Sequence, residues 1–177
     1  MKFVNAIVCT TAAVGAASIL PAAASASAVH CAAESGLDAT TIQGETGCRA
    51  AGGEGGQAHS IGLDGVGYAD AAHGKAFAVG VAGGVGASEG VGGVAFAAGF
   101  GPDALALITG PAREPGKDSS RAVAIAFEGS RAEVGGGLTE SVVCLGAGAF
   151  AWDERSGAAC LATPFGIWKP PGDSAVS

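Results

Sequence analysis

Large side chains are scarce in this 177-residue chain. Leu, Ile, Val and Phe together number 37, there is one Tyr and one Met, and aromatic residues make up only 6%. That composition excludes a thick conventional core. Charge is sparse too, at 14% of residues, with 9 basic against 16 acidic side chains. Low charge with positive mean hydropathy argues against a solvated disordered chain. The shortage of Lys and Arg excludes the basic patch that nucleic-acid binding needs. What fills the chain instead is 40 Ala and 32 Gly.

Residues 1–28 read as a signal peptide. Lys2 supplies a positive start, Phe3 to Leu20 is uncharged and apolar, and Ala26-Ser27-Ala28 is an A-x-A cleavage signal after Pro21. Val29 is therefore the expected mature N-terminus. The apolar run is short and rich in small residues for a membrane span, so none is expected after signal removal. Neither Cys9 nor Cys31 lies in a lipobox. The expected location is secreted, extracellular or associated with the cell envelope. Without Lys2, 8 basic residues face 16 acidic ones, a balance that favours solubility.

Beyond the leader the cysteines are Cys31, Cys48, Cys144 and Cys160. An even number in a secreted chain reads as disulfides. Four cysteines allow three pairings, of which the local one, Cys31–Cys48 with Cys144–Cys160, is expected. Each such bridge contributes roughly 3 kcal/mol by restricting the unfolded chain. A zinc site would need closer spacing, of the C-x₂-C kind. The cysteines divide one domain, 29–167, into an N-terminal stapled unit (29–51), a repetitive centre (52–141) and a C-terminal stapled unit (142–167). Residues 168–177 form an extended tail, because Pro170-Pro171 continues neither a helix nor a central strand.

The centre repeats a short unit. Copies are Ala76-Phe77-Ala78-Val79-Gly80, Ala95-Phe96-Ala97-Ala98-Gly99, Ala104-Leu105-Ala106-Leu107-Ile108 and Ala122-Val123-Ala124-Ile125-Ala126. The steps between their starts, Ala76, Ala95, Ala104 and Ala122, are all near multiples of nine. Each copy alternates with period two, Ala on one face and Phe, Val, Leu or Ile on the other. The bulky face is expected to fill a core. The Ala face is expected to meet another sheet layer or another chain. Short strands of even spacing with glycine corners point to a β-solenoid or β-roll, with a small β-sandwich as the alternative. A helix would carry a cost of about 1 kcal/mol at each glycine, and collagen needs glycine strictly every third residue.

In the stapled units, Leu37 to Gly44 reads as a first strand, with a turn at Thr46-Gly47. Ser141 to Gly146 and Ala158 to Ala162 read as strands, and Asp153 to Gly157 as a hairpin turn. Cys144 and Cys160 are expected to face each other across that hairpin. The stapled units stand where a repeat fold needs caps.

The A-x-A-x-G units resemble the head repeats of trimeric autotransporter adhesins. That resemblance implies a parallel β-roll in which three chains pack together. The wider layout, with His30-Cys31, Gly47-Cys48-Arg49-Ala50, Gly62 to Ala69, Gly83 to Gly90 and the late cysteine pair, resembles uncharacterised small secreted proteins of actinobacteria. That resemblance brings no activity or catalytic residue.

Motifs for chemistry are weak. Gly110 to Asp118 imitates a phosphate loop, but the spacing is one residue too long and Asp118 stands where Ser or Thr would hold magnesium. Gly90 to Ala95 fits G-x-G-x-x-A without a following helix. His59, Ser60 and Asp64 offer the residue types of a triad, yet neighbours on a strand point to opposite faces. Asp64 and Asp70 lack a calcium-loop pattern. No catalytic, cofactor-binding or metal residue, and no cofactor, is assigned. The reading is an all-β, Gly/Ala-rich, disulfide-stapled solenoid. Its expected role is non-enzymatic, as a secreted structural or interaction protein, with a homo-oligomer and a cell-envelope component as the candidate assemblies. The alternative is a small secreted hydrolase or ligand-binding module.

Overall fold

The computed structural model describes residues 26–110, 120–135 and 141–170. Among the described residues fifteen strands form two sheets. Sheet A contains β1 (Ala28–Glu34), β4 (Gly56–Leu63), β6 (Gly74–Val81), β8 (Val94–Phe100), β10 (Arg121–Phe127), β13 (Ala149–Asp153), β14 (Ala159–Thr163) and β15 (Gly166–Trp168), in that spatial order. Sheet B runs β12 (Val142–Leu145), β11 (Arg131–Val134), β9 (Leu105–Ile108), β7 (Val85–Gly90), β5 (Val66–Ala71), β3 (Thr46–Gly52) and β2 (Asp38–Gln43).

The central strands alternate between the sheets, and within each sheet they pair in parallel. This is a β-solenoid with two strands per coil. Parallel pairing of successive strands within both layers excludes an antiparallel sandwich. The register explains the spacing of the repeats. Ala76 pairs with Ala95, one full coil further along sheet A. The shorter step from Ala95 to Ala104 is half a coil, from sheet A to sheet B. The next step, from Ala104 to Ala122, is a half-coil lengthened by the segment between β9 and β10. It is not a second full coil.

Antiparallel strands close both ends. At the start β1 pairs with β4, and β2 with β3. At the finish β12 reverses against β11, and β13, β14 and β15 continue sheet A. The disulfides form as paired from the sequence, Cys31–Cys48 and Cys144–Cys160. Each joins sheet A to sheet B through the interior. Cys144 and Cys160 therefore do not face each other across one hairpin. The hairpin is β13–β14, and Cys144 lies in the opposite sheet. Two smaller expectations also change. The first strand is β1, which precedes the Leu37–Gly44 segment, and the β2–β3 turn falls at Gly44-Glu45, before Thr46. At the far end Trp168 belongs to β15, so the tail starts one residue later than expected.

The main correction concerns the faces. The Ala face forms most of the interior, with Val29, Ile108, Val134 and Val142 toward the ends, and the bulky face of the sheet A repeats points outward. In sheet A the inner rows are Ala58–Ala76–Ala95–Ala122, Ser60–Ala78–Ala97–Ala124 and Gly62–Gly80–Gly99–Ala126. Ala58, Ala76, Ala97 and Ala124 are 0% exposed. Sheet B answers with Cys48–Gly67–Gly86–Ala106–Ala132 and Ala50–Ala69–Ser88–Ile108. The reason is spacing. The bridged cysteines put Cα atoms of the two sheets 5.7 and 5.9 Å apart, where ordinary sheets stack about 10 Å apart. A Phe or Leu has no room there. The glycine row brings backbone against backbone. A Cβ on Gly86 would lie 2.8 Å from the Ala97 carbonyl oxygen.

Candidate functional site

With the interior filled mostly by small residues, most of the apolar bulk of the repeats lies outside, the larger part of it on sheet A and Leu105 and Leu107 on sheet B. The register aligns it in three rows across the coils. One row is His59–Phe77–Phe96–Val123–Trp152. The next is Ile61–Val79–Ala98–Ile125–Phe150–Leu161, with Trp168 beyond it. The third is Leu63–Val81–Phe100–Phe127. Most of these side chains are half-buried by their row neighbours, and Leu63, Phe127, Leu161 and Trp168 are exposed. Rings stack along the rows. His59 and Phe77 lie 5.5 Å apart between centroids, and Phe100 and Phe127 5.3 Å apart. Beside the third row a shallow groove of about 470 Å³ is lined by Val81, Phe100, Phe127, Glu128 and Ala147.

Polar residues border this face on one side in the row Glu34–Gln57–Lys75–Val94–Arg121, and Glu128 borders it on the other, beside Phe127. The outer face of sheet B has a different character. There the Arg49 guanidinium donates to Asp38 at 2.7 Å and lies 5.7 Å from the Tyr68 ring centroid, while the Tyr68 hydroxyl reaches Asp70 at 3.4 Å. The hydrogen bond to Asp38, then its charge, raises the pKa of Arg49. Burial, then the charge of Asp70, raises that of Tyr68. Arg131 pairs with Glu133 at 2.9 Å further along. The outer face of sheet B also carries an apolar row, Val66–Val85–Leu105 with Leu145 beyond Arg131, so it mixes apolar and polar side chains where that of sheet A is mainly apolar.

The residue types considered for catalysis are held apart. His59 points out of sheet A against Phe77. Ser60, the next residue, points inward, is 0% exposed and donates to the Arg49 carbonyl at 2.8 Å. Asp64 sits in the turn after β4 and accepts from the Ser27 amide at 2.6 Å. His30 stacks with His59 at 6.3 Å, and His73 contacts the Glu54 carbonyl. Among the described residues no group of three or more His, Cys, Asp or Glu side chains could hold a metal ion. The phosphate-loop imitation at Gly110 to Asp118 lies, apart from Gly110, outside the described residues. Gly90 to Ala95 leads into strand β8.

The apolar face was missed from sequence because both faces of each strand are apolar, and size was read as depth. A usable signal exists. The smallest residues occupy the same alternate positions in every copy and end in glycine, as in Ala76-x-Ala78-x-Gly80 and Ala95-x-Ala97-x-Gly99. Glycine in a strand interior marks close backbone approach, so that face meets a second backbone.

Comparison with curated proteins and with solved structures returns no match. A family model does match, over residues 1–163. The chain belongs to that family, DUF6764, a family of unknown function.

Proposed function

We propose that the protein is a non-enzymatic structural or interaction protein of the extracellular space or cell envelope, and that it works as a homo-oligomer joined through the outer face of sheet A. The observation that carries this reading is the continuous three-row apolar face. Its rows of five, six and four side chains, each side chain taking about 4.8 Å by about 7 Å, give it an area of about 500 Å². That is in the upper part of the range for the largest patch on an ordinary monomer. It is the size of the smaller specific interfaces, which bury less than about 1,200 Å² in total. A polar border beside an apolar centre is the usual layout of such a surface. A second copy offers the same apolar rows, and two such faces pack as stacked sheets about a twofold axis. Likeness to adhesin head repeats, whose chains pack together, supports association but not this face, because here the Ala side is already covered by the chain's own second sheet. The disulfides point to an oxidising, extracellular environment, and the leader pattern supports export.

Sedimentation of the wild type with Val79→Glu and Ile125→Glu tests the reading. Both positions are half-buried on the outside, so the fold accommodates the charge. The wild type is expected to be an oligomer and both variants folded monomers. A monomeric wild type, or an oligomer that survives both substitutions, overturns it.

A further inference from the structure

The start of β1 carries information about processing. Ser27 precedes β1 and is clasped in both directions by the β4–β5 turn. Its amide donates to the Asp64 carboxylate at 2.6 Å, and the Asp64 amide donates back to the Ser27 carbonyl at 2.9 Å. Ala28 then pairs with Leu63 as the first rung of the β1–β4 ladder. The recess around Ser27 is lined by Gln43, Gly44, Glu45, Thr46 and Asp64. It holds two acidic side chains and no basic one.

The leader contains two further A-x-A frames, Ala22-Ala23-Ala24 and Ala24-Ser25-Ala26, just before the one read above. The frames ending at Ala26 and Ala28 have different structural consequences. Cleavage after Ala28 removes the first rung and strips Asp64 of both bonds to Ser27. It also leaves the new ammonium on Val29, two residues away from the position at which the Asp64 carboxylate receives the chain. Cleavage after Ala26 keeps the ladder and the clasp. It turns the Ser27 amide nitrogen into an ammonium already at hydrogen-bond distance from a carboxylate, and a charge-assisted bond of this kind is stronger than a neutral one.

We infer that the mature chain begins at Ser27 and that Asp64 holds its α-ammonium. The step is hydrolysis of the Ala26–Ser27 peptide bond by a signal peptidase that reads A-x-A. Water is consumed, the Ala26 carboxylate leaves with the leader, and the proton stays on the Ser27 nitrogen. The inference rests on the reading of an exported protein. It moves the expected mature N-terminus from Val29 to Ser27.

Intact-mass and N-terminal sequencing of protein collected outside the cell is the first test. A chain starting at Ser27 is expected. A start at Ser25 or Val29 overturns the inference and leaves export standing, whereas an intact chain starting at Met1 overturns both. The second test labels the α-amino group with an amine acylating reagent near pH 7, in wild type and in Asp64→Asn. Asn tolerates the left-handed backbone of Asp64, whose φ is 50°, so the variant keeps its fold. A held ammonium is labelled about tenfold more slowly for each unit by which its pKa is raised. Labelling is expected to quicken several-fold in Asp64→Asn and to change little in Glu45→Gln. Equal rates in wild type and Asp64→Asn overturn the role of Asp64.

Discussion

Gly80→Ala tests the packing of the solenoid at its inner glycine row. Gly80 pairs with Gly62 and Gly99 in sheet A. A Cβ there would lie 2.5 Å from the Val66 carbonyl carbon, and closer still to its oxygen and nitrogen. These are backbone atoms of sheet B, so no rotamer change can relieve the clash. The sheets must part locally by about 1 Å, loosening the alanine rows beside it. Overpacking of a filled interior costs about 1–3 kcal/mol, and rigid neighbours place this case at the upper end. The lost flexibility of the unfolded glycine returns up to about 1 kcal/mol, leaving a net loss of about 2 kcal/mol. For a chain of this size that lowers Tm by about 4–8 °C. Thermal unfolding followed by circular dichroism reads the shift. Gly92→Ala is the control, because nothing lies within 4 Å of its added Cβ, and it is expected to be neutral or slightly stabilising. If Gly80→Ala is as stable as wild type, the two backbones do not meet at this row and the account of the interior is wrong.

Two further expectations use the same measurement. Ser88 is 0% exposed and its hydroxyl has no hydrogen-bond partner among the described residues. Ser88→Ala should therefore stabilise by about 1 kcal/mol, while Ser60→Ala, which loses a bond to the Arg49 carbonyl, should destabilise by a similar amount; the opposite order would show that Ser88 has a partner. Ala97→Glu places an unpaired charge between the sheets, where Ala97 is 0% exposed, and should abolish folding at every protein concentration. A folded monomer would put Ala97 at an intermolecular surface instead.

The sequence made some features of this molecule plain and hid others for definite reasons. Period-two alternation in Ala76–Gly80 and Ala95–Gly99 identified strands, and the compartment argument identified disulfides, because both signals are local. Cys31–Cys48 was legible as a pair, but the fact that it crosses between sheets was not, since loop length carries no layer information. The strands β4, β5 and β7 were overlooked as repeat copies. Their inner positions carry Ser60, Gly67, Ala69 and Ser88, and their outer ones Gln57, Tyr68, Asp70 and Glu89, which breaks the Ala–bulky pattern. The apolar face was hidden most deeply. Hydrophobicity ranks Phe77 above Ala76, and only the distance between the two sheets reverses that ranking. The Ser27–Asp64 clasp spans 37 residues of sequence, and neither residue type signals it.

The register of the coils gives the protein a unit of length. Before the segment between β9 and β10, one coil carries Gly56 onto Gly74, or Ala76 onto Ala95, and stacks like residue on like along sheet A. Duplicating such a unit would reproduce the inner rows without a new packing solution. It would widen the outer apolar face by one strand, about 4.8 Å. Loss or gain of a single residue within β6 or β8 would instead turn Phe into a space filled by Ala and Gly. Length variation in this architecture should therefore be quantised. Whole turns can be added or removed in the middle, odd residues are confined to the corners, and the disulfide ends travel unchanged as fixed stops.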